Sequence, residues 1–128
     1  MLTTGVDLAE ISRIERLLER FGDRFLVRVY TPAEILRSRR RPAELAARFA
    51  AKEAVAKALG VGMRILSPLG IGWQDVETLN EITGKPYVVL HGRARELAEA
   101  QGLSQWAISL SHDGGMAVAF VVATDGQR

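Results

Sequence analysis

AELAARFAAKEAVAKAL, residues 43–59, is a long run of strong helix formers near the middle of the chain. Alanine, leucine, glutamate and lysine dominate it, and all four favour the α-helix. Gly60 and Gly62 follow at once, and glycine commonly ends helices because it readily adopts the left-handed conformation. The segment therefore predicts one long helix that stops near Gly60.

The segments before this helix predict one strand and several shorter helices. Residues 3–8 form a short apolar run typical of a buried strand. Apolar residues then recur at helical spacing with arginines on the opposite side, which predicts an amphipathic helix, with a possible break near Gly22. Residues 31–34, Thr-Pro-Ala-Glu, have the form of a helix start, so a short helix to Arg37 is expected. The basic run at 37–42 is interpreted as a loop.

The second half of the chain predicts two hairpins separated by a helix. Its second hairpin turns at His112-Asp113-Gly114-Gly115, and Asp-Gly is a strong hairpin signal. The expected strands cover residues 72–79, 86–90, 106–111 and 116–123, and the expected helix covers residues 93–100. This order predicts an α+β fold, with helices packed on an antiparallel sheet. We expect a single domain over residues 1–123 and a disordered tail over residues 124–128.

Composition restricts the class of protein. The chain has 128 residues, of which 48% are hydrophobic, and it carries a formal net charge of +2. It has no cysteine, which excludes disulfides and thiolate chemistry. Neither a signal peptide nor an apolar run long enough to cross a bilayer is evident. We therefore predict a soluble cytoplasmic protein with no membrane partner.

Four arginines lie along one side of the first helix, at positions 13, 16, 20 and 24. This row is either a solvated helix face or a docking surface for an acidic partner. Three glutamates interleave with it, at positions 10, 15 and 19. Because nucleic-acid-binding surfaces are usually more continuously basic and often include stacking aromatic residues, a nucleic-acid partner is not expected.

Two carboxylates are candidates for chemistry. Asp7 lies in an apolar strand just before a helix, where it either caps that helix or holds a cation. Glu53 and Lys57 are four residues apart, as in an ordinary surface ion pair. They also share a helix stripe with Ala46, Ala50 and Gly60, whose small size would let a ligand or another chain segment approach.

Ser109, His112 and Asp113 lie together, but a hydrolase triad is not expected, since triad members usually come from separated positions. His112 is either an ordinary exposed histidine or a donor to phosphate oxygens. A histidine metal site is not expected, because the chain has only two histidines and they are far apart in the sequence. A carboxylate site suits Mg²⁺, which prefers carboxylates, phosphate oxygens and water. No nucleotide-binding glycine loop of a known type is present.

Taken together, four ordered segments resemble the holo-[acyl-carrier-protein] synthases, the small trimeric type of 4′-phosphopantetheinyl transferase, over nearly the whole chain. The segments are GVDLAEISRI at 5–14, RFAAKEA at 48–54 with KALG at 57–60, GKP at 84–86, and SLSHD at 109–113. The resemblance implies a transferase that moves 4′-phosphopantetheine from coenzyme A to a serine of apo-acyl carrier protein. It also implies a role in fatty acid biosynthesis and lipid metabolism, although the residues do not distinguish a fatty-acid carrier from a polyketide carrier.

The same resemblance implies a role for each site residue. Asp7 and Glu53 would bind Mg²⁺ at the coenzyme A pyrophosphate, and Lys57 would neutralise charge on the phosphates. Arg48 and His112 would hold the nucleotide phosphates, notably the 3′-phosphate, and Lys85 would line the adenosine end. Arg13, Arg20 and Arg24 would meet an acidic helix of the carrier protein. The resemblance also implies a homotrimer with three interfacial sites, and it assigns Asp113 no role.

The chemistry is consistent with these roles. A serine hydroxyl needs a base, a metal, or both, and Glu53 or a water that it orients is our candidate base. The departing 3′,5′-ADP is a polyanion whose charge must be offset. Two other hypotheses remain: a non-enzymatic module that docks acidic proteins through the first helix, and a hydrolase of coenzyme A thioesters.

Overall fold

The computed structural model describes residues 1–63 and 69–126, and ten helices and strands are assigned within them. The strands are β1 (Leu2–Glu10), β2 (Val76–Asn80), β3 (Pro86–Leu90), β4 (Gln105–Asp113) and β5 (Met116–Thr124). The helices are α1 (Ile11–Phe21), α2 (Asp23–Val29), α3 (Pro32–Ser38), α4 (Pro42–Ala58) and α5 (Gly92–Ala100). The predicted α+β class, with helices on antiparallel sheets, is confirmed.

A three-stranded antiparallel sheet in the order β1-β5-β4 carries α4 on one face. Side chains alternate along β1, so Thr3, Gly5 and Asp7 point toward α4 while their neighbours point away. Gly5 permits this packing, because a Cβ there would lie 2.9 Å from the Ala54 carbonyl carbon. The alanines of α4 are buried in the same layer, and their small side chains bring the helix backbone close to the strand.

The hairpin between β4 and β5 turns at Gly114 and Gly115. Both residues have positive φ, 57° and 81°, as a two-residue hairpin turn that matches the twist of its strands requires. The predicted turn also included His112 and Asp113, which are instead the last two residues of β4, where they pair with Ala117 and Met116. The second sheet is the hairpin of β2 and β3, which pairs Asn80 with Pro86. The chain reverses direction through residues 81–85. The sequence predicts this turn from Asn80, which is instead the last residue of β2.

The predicted helix boundaries are close to those observed. The break at Gly22 is confirmed, with φ 54° between α1 and α2. Thr31 and Glu34 form the predicted capping box at the start of α3. Gly60 has φ 77° just past α4, and the Val61 N–H donates to the Ala56 carbonyl at 3.0 Å, which closes the last turn.

Other predicted boundaries were also wrong. The strand expected from residue 72 begins at Val76, because Trp73–Asp75 form a 3₁₀ turn in which the Asp75 carboxylate accepts from the Gly72 N–H. The loop expected at 37–42 is shorter, since α3 continues to Ser38 and α4 starts at Pro42. The tail expected from residue 124 starts later.

Thr124 is the last residue of β5, and its hydroxyl donates to the Met1 carbonyl at 3.0 Å. The N-terminal ammonium then pairs with Asp125 at 2.8 Å. These contacts hold both residues at the end of the sheet. The predicted disorder of residues 127–128 falls outside the described residues.

Among the helices of the described segments, none combines the length and the apolar character needed to cross a membrane.

Candidate active site

The structure brings Asp7, Glu53 and Lys57 together where β1 packs on α4. Lys57 Nζ donates to Asp7 Oδ1 at 2.8 Å and to the Val6 carbonyl at 3.0 Å. Glu53 precedes Lys57 by one helical turn, so both side chains lie on the same face of α4. The carboxyl groups of Glu53 and Asp7 lie within hydrogen-bonding reach of each other. Asp7 and Glu53, 46 positions apart in the sequence, are therefore neighbours in the fold.

Asp7 does not cap the first helix. Glu10 occupies the N-cap position of α1, without a side-chain capping bond, and Asp7 lies three residues earlier in β1. The side chain of Asp7 is 16% exposed and points toward α4. The capping interpretation is therefore wrong, and the carboxylate is available to a ligand at the β1–α4 junction.

Glu53 is in an environment that disfavours its charge. Burial, the Asp7 charge and a hydrogen bond with Asp7 together raise the pKa of Glu53 to about 7, against the lowering effects of Arg13 and Lys57. A hard divalent cation bound between these two carboxylates would relieve the repulsion between them. Within the described segments there is no cluster of three or more such ligating side chains. The donor set therefore fits Mg²⁺ bound by two carboxylates, with its remaining positions open to phosphate and water.

Lys57 carries a charge beside this pair. The hydrogen bond to Asp7 raises the pKa of Lys57, outweighing the lowering effect of burial. Its side chain is 57% exposed, so the ammonium group can reach a ligand from the solvent side. The Lys57 ammonium group can therefore pair with a phosphate that binds beside the two carboxylates.

A second cluster surrounds Arg48, on the N-terminal half of α4. Arg48 and His112 line one cleft of about 260 Å³, together with Ala43, Glu44, Ala47, Asn80, Gly84, Pro86, Leu110 and Ser111. The Arg48 side chain is almost fully buried, and its Nη1 donates to Glu44 Oε2 at 2.9 Å. Lys85 is exposed and lies between two residues that line this cleft. The three nucleotide-site residues predicted from the sequence therefore lie at or beside one cleft.

The two clusters lie on different sides of α4. Arg48 and Glu53 are five positions apart, which places their side chains roughly 140° apart around the helix axis. One small ligand molecule cannot easily contact both from within a single chain.

The basic residues of α1 and α2 differ in their surroundings. Arg13 lies over the Phe49 ring, 5.6 Å from its centroid, and close enough to Glu53 to lower the pKa of that carboxyl. Arg20 and Arg24 lie over the ring of Phe21 at 5.3 and 5.7 Å. Arg24 also lines an open groove of about 610 Å³ with Leu17, Phe21, Phe25, Val27 and Arg28. Of the three arginines predicted to dock a partner, Arg13 is thus the one nearest the carboxylates.

Sequence reasoning missed the residues that hold these clusters in place. Lys52 and Glu34 form a fully buried ion pair at 2.8 Å, whereas the sequence predicts only that Lys52 lies in the central helix and that Glu34 helps to start α3. Asn80 was assigned only to a turn, yet it bonds Arg48 at 2.8 Å. The signal in the sequence was a polar residue within an apolar segment or a turn. Such residues are too common to identify a bonding partner.

Comparisons with known proteins agree with this geometry. Residues 3–121 match the family model of the 4′-phosphopantetheinyl transferase superfamily. The chain is 50% identical to the holo-[acyl-carrier-protein] synthase of Herpetosiphon aurantiacus, over 95% of this chain and 98% of that protein. It is 48% identical to the enzyme of the same name from Solibacter usitatus, over 93% of this chain and 94% of that protein.

Two solved structures share the fold. The Helicobacter pylori holo-[acyl-carrier-protein] synthase in complex with coenzyme A superposes with a TM-score of 0.83 at 31% identity, covering 94% of this chain and 99% of that one. The Neisseria meningitidis holo-[acyl-carrier-protein] synthase superposes with a TM-score of 0.82 at 35% identity, covering 95% and 97%. The resemblance seen in the sequence is confirmed, and the chain belongs to the holo-[acyl-carrier-protein] synthases of the 4′-phosphopantetheinyl transferase superfamily.

Proposed function

We propose that this protein transfers 4′-phosphopantetheine from coenzyme A to a serine of apo-acyl carrier protein, releasing adenosine 3′,5′-bisphosphate. The observation that carries the proposal is the meeting of Asp7 and Glu53 beside Lys57, in a chain of this family. Paired carboxylates and a neighbouring cation suit a reaction on a diphosphate. The similarity to holo-[acyl-carrier-protein] synthases and the coenzyme A complex of the Helicobacter pylori protein support the same substrates.

In the proposed reaction, the serine oxygen of the carrier attacks the β-phosphorus of coenzyme A. A new phosphorus–oxygen bond forms, and the bond to the bridging oxygen breaks to release adenosine 3′,5′-bisphosphate. Glu53 accepts the serine proton directly or through a water that it orients. Lys57 offsets the charge that grows on the leaving phosphate and can supply a proton to it.

Asp7 and Glu53 would hold the Mg²⁺ that this reaction requires in our proposal. When bound, the ion would neutralise the diphosphate and position it for attack. Mn²⁺ would satisfy the same oxygen donors. The enzyme's dependence on a divalent cation is therefore part of the proposal.

We place the nucleotide of coenzyme A in the Arg48 cleft. The Arg48 guanidinium and His112 would hold the 3′-phosphate, since a planar guanidinium matches phosphate oxygens well. Lys85, exposed beside the cleft, would contact the adenosine end. The acyl carrier protein would dock on α1 and α2, where Arg13, Arg20 and Arg24 can meet acidic side chains and the apolar groove can seat a nonpolar one.

We further propose a homotrimer with three interfacial active sites. The carboxylate cluster and the Arg48 cleft face different directions around α4, so a neighbouring copy is needed to bring one of each together. The face of the β1-β5-β4 sheet that is turned away from α4 exposes Val6, Leu8 and Phe120 at 50%, 60% and 43%. Exposed apolar side chains clustered on one sheet face are typical of an oligomer interface. We expect the enzyme to act in the cytoplasm, in fatty acid biosynthesis.

Mass spectrometry of the carrier protein tests the transfer. Incubation with coenzyme A, Mg²⁺ and apo-acyl carrier protein should add one phosphopantetheine group, and EDTA should abolish the addition. Glu53→Gln should abolish transfer while keeping the wild-type circular dichroism spectrum, and Glu99→Gln, on the exposed face of α5, is the control expected to stay active. Full activity in Glu53→Gln or in EDTA would reject the assigned site.

The same mixtures separate the alternatives. A docking module would bind the carrier protein without modifying it and without needing Mg²⁺. A thioester hydrolase would release free thiol from an acyl-coenzyme A, which a thiol reagent detects. We expect neither result.

Size-exclusion chromatography with light scattering tests the trimer. Wild-type protein should have three times the mass of the 14.0 kDa chain. Phe120→Glu places a charge on the apolar sheet face and should yield monomers, whereas Leu36→Glu, at an 81% exposed position on α3, should leave the mass unchanged. A wild-type monomer, or a Phe120→Glu trimer, would contradict the proposed interface.

A further inference from the structure

Asn80, the last residue of β2, joins the two walls of the Arg48 cleft. Its Oδ1 accepts a hydrogen bond from Arg48 Nη2 at 2.8 Å, and its Nδ2 donates to the Gly84 carbonyl at 2.9 Å. Arg48 belongs to α4, whereas Gly84 belongs to the turn between β2 and β3. One side-chain amide therefore ties the guanidinium to the turn that forms the opposite wall.

The other side of the guanidinium is held by an acid. Arg48 Nη1 donates to the Glu44 carbonyl at 3.1 Å and to Glu44 Oε2 at 2.9 Å. Arg48 Nε is buried and has no hydrogen-bond partner within the described structure. The orientation of the guanidinium is thus set by Glu44 at one nitrogen and by Asn80 at the other.

The chemistry of the two partners differs. The Glu44 carboxylate neutralises Arg48, whereas the Asn80 amide is uncharged and orients the guanidinium without cancelling its charge. Without the Asn80 oxygen, Nη2 loses its acceptor, and we expect the guanidinium to shift further toward the Glu44 carboxylate, because charge-assisted bonds are the stronger ones. Because Glu44 also lines this cleft, the guanidinium would then pair more closely with a carboxylate and be less available to a phosphate.

We propose that Asn80 is a positioning residue, which aims the Arg48 guanidinium at the 3′-phosphate of coenzyme A and so sets the preference for ligands that carry this phosphate. The proposal rests on the placement of the nucleotide in this cleft under the proposed function. It concerns ligand affinity and selectivity, and it assigns Asn80 no contact with the reacting atoms.

Isothermal titration calorimetry with coenzyme A and with dephospho-coenzyme A, which lacks the 3′-phosphate, tests the proposal in the presence of Mg²⁺. Asn80→Ala should weaken coenzyme A binding about tenfold, the loss expected for one hydrogen bond to a charged group. It should change dephospho-coenzyme A binding by less than about twofold, since that ligand presents nothing to the misaligned guanidinium. Glu81→Ala, at the exposed neighbouring position, should leave both affinities unchanged.

Asn80→Asp is the second variant, because it keeps an acceptor for Arg48 but adds a negative charge. It should weaken coenzyme A binding more than Asn80→Ala does, again with a smaller effect on dephospho-coenzyme A. In transfer assays, both variants should raise KM for coenzyme A and leave kcat close to the wild-type value.

Equal weakening for both ligands would show that Asn80 only supports the turn, and it would overturn the inference, as would unchanged affinities in both variants. A wild-type protein that binds coenzyme A but does not prefer it over dephospho-coenzyme A would reject this cleft as the 3′-phosphate site, and the inference with it. Loss of transfer activity in the wild type would reject the proposed function itself.

Discussion

Glu53 and Glu77 are both partly buried carboxylic acids, yet their surroundings move their pKa values in opposite directions. Burial and the neighbouring Asp7 raise the pKa of Glu53. Burial would also raise the pKa of Glu77, but hydrogen bonds from Thr31 and His91 lower it more, and the nearby charges of His91 and Lys52 act in the same direction. Glu53 is thus suited to exchange a proton or bind a cation, and Glu77 to remain ionised and structural.

The environment of Glu77 predicts how stability depends on pH. A pKa lowered in the folded state means that the ionised form stabilises the fold above the ordinary value of 4.5, and that this contribution is lost as the pH falls below 4.5. Glu77→Gln should therefore be less stable than wild type at neutral pH, and the difference should shrink in acid. Urea unfolding at about pH 7 and about pH 3.5 measures both quantities.

The exposed Glu96 on α5 provides the control for this prediction. Glu96→Gln removes a carboxylate outside the Thr31–His91 contacts and should change the pH dependence of stability much less. If wild type and Glu77→Gln differ in unfolding free energy as much in acid as at neutral pH, the hydrogen bonds to Glu77 stabilise the fold independently of its ionisation.

Single residues also show where reasoning from the sequence succeeded and where it stopped. Asp7 was open to two interpretations because a strand end and a helix start adjoin it. Its register against Ala119 of β5 and its packing on α4 decide between them, and neither is visible in a local pattern. Asn80 gave no signal, since its role depends on a partner 32 positions away.

At the scale of elements, a buried ion pair ties three elements together. Lys52 of α4 donates to Glu34 of α3 and to the Val76 carbonyl of β2. The second oxygen of Glu34 accepts from the Thr78 N–H at 2.9 Å. Burial lowers the pKa of Lys52, while the charge and hydrogen bond of Glu34 counteract the effect. Each group therefore depends on its partner to remain satisfied in the interior.

Removing one partner of this pair should be costly. Glu34→Ala leaves the buried Lys52 ammonium with only the Val76 carbonyl and the Thr78 N–H without its acceptor, and we expect a loss of about 3–5 kcal/mol in the free energy of unfolding. Glu34→Leu combined with Lys52→Met should recover much of that loss, because no buried charge then remains. Urea unfolding of the two variants measures both changes.

The matched control is the exposed pair of Arg95 and Glu99 on α5, 2.9 Å apart and about 70% exposed. Glu99→Ala should cost less than about 0.5 kcal/mol, as surface pairs do. A Glu34→Ala variant that loses no more than Glu99→Ala would show that water replaces the lost acceptor.

The approach of β1 to α4 depends on the absence of a side chain at Gly5. A Cβ there would collide with the Ala54 backbone, which cannot move without shifting the helix. Gly5→Ala should therefore lower the melting temperature by several degrees and move Asp7 away from Glu53, so that transfer activity falls as well. Thermal unfolding and the transfer assay on the same sample measure the two effects.

Gly62→Ala is the control, because no described atom lies within 4 Å of a Cβ at that position and its φ is not in the left-handed range. It should change neither the melting temperature nor the transfer activity appreciably. A Gly5→Ala variant of wild-type stability would show that the strand and helix can separate without loss.

Elements were easier to predict than their contacts. The alanine-rich composition of α4, the glycine after it and the Asp-Gly turn act locally, and each predicted its element. The strand order β1-β5-β4 and the 3₁₀ turn before β2 depend on distant partners: the Trp73 ring stacks on Phe49 at 4.8 Å, 24 positions earlier in the chain. Local sequence patterns do not indicate such contacts.

At the scale of the whole molecule, α4 separates two half-sites that the proposed reaction needs together. The helix presents the Glu53–Lys57 cluster on one side and Arg48 on another, and it covers the sheet face opposite to Val6, Leu8 and Phe120. A trimer built through that exposed face would bury apolar surface and, in our proposal, bring the carboxylates of one subunit to the nucleotide cleft of the next.

Subunit mixing tests this arrangement. Glu53→Gln damages the carboxylate half-site and Arg48→Ala the nucleotide half-site, so each homotrimer should be nearly inactive. Mixed trimers, formed by co-expression or by unfolding and refolding an equal mixture, contain some sites that combine the intact half of each variant. Random assembly makes about a quarter of the sites intact, so activity should return to roughly a quarter of the wild-type value. Activity that stays at the level of the separate variants, in samples shown by light scattering and mass spectrometry to be mixed trimers, would place both half-sites of each active site within one subunit.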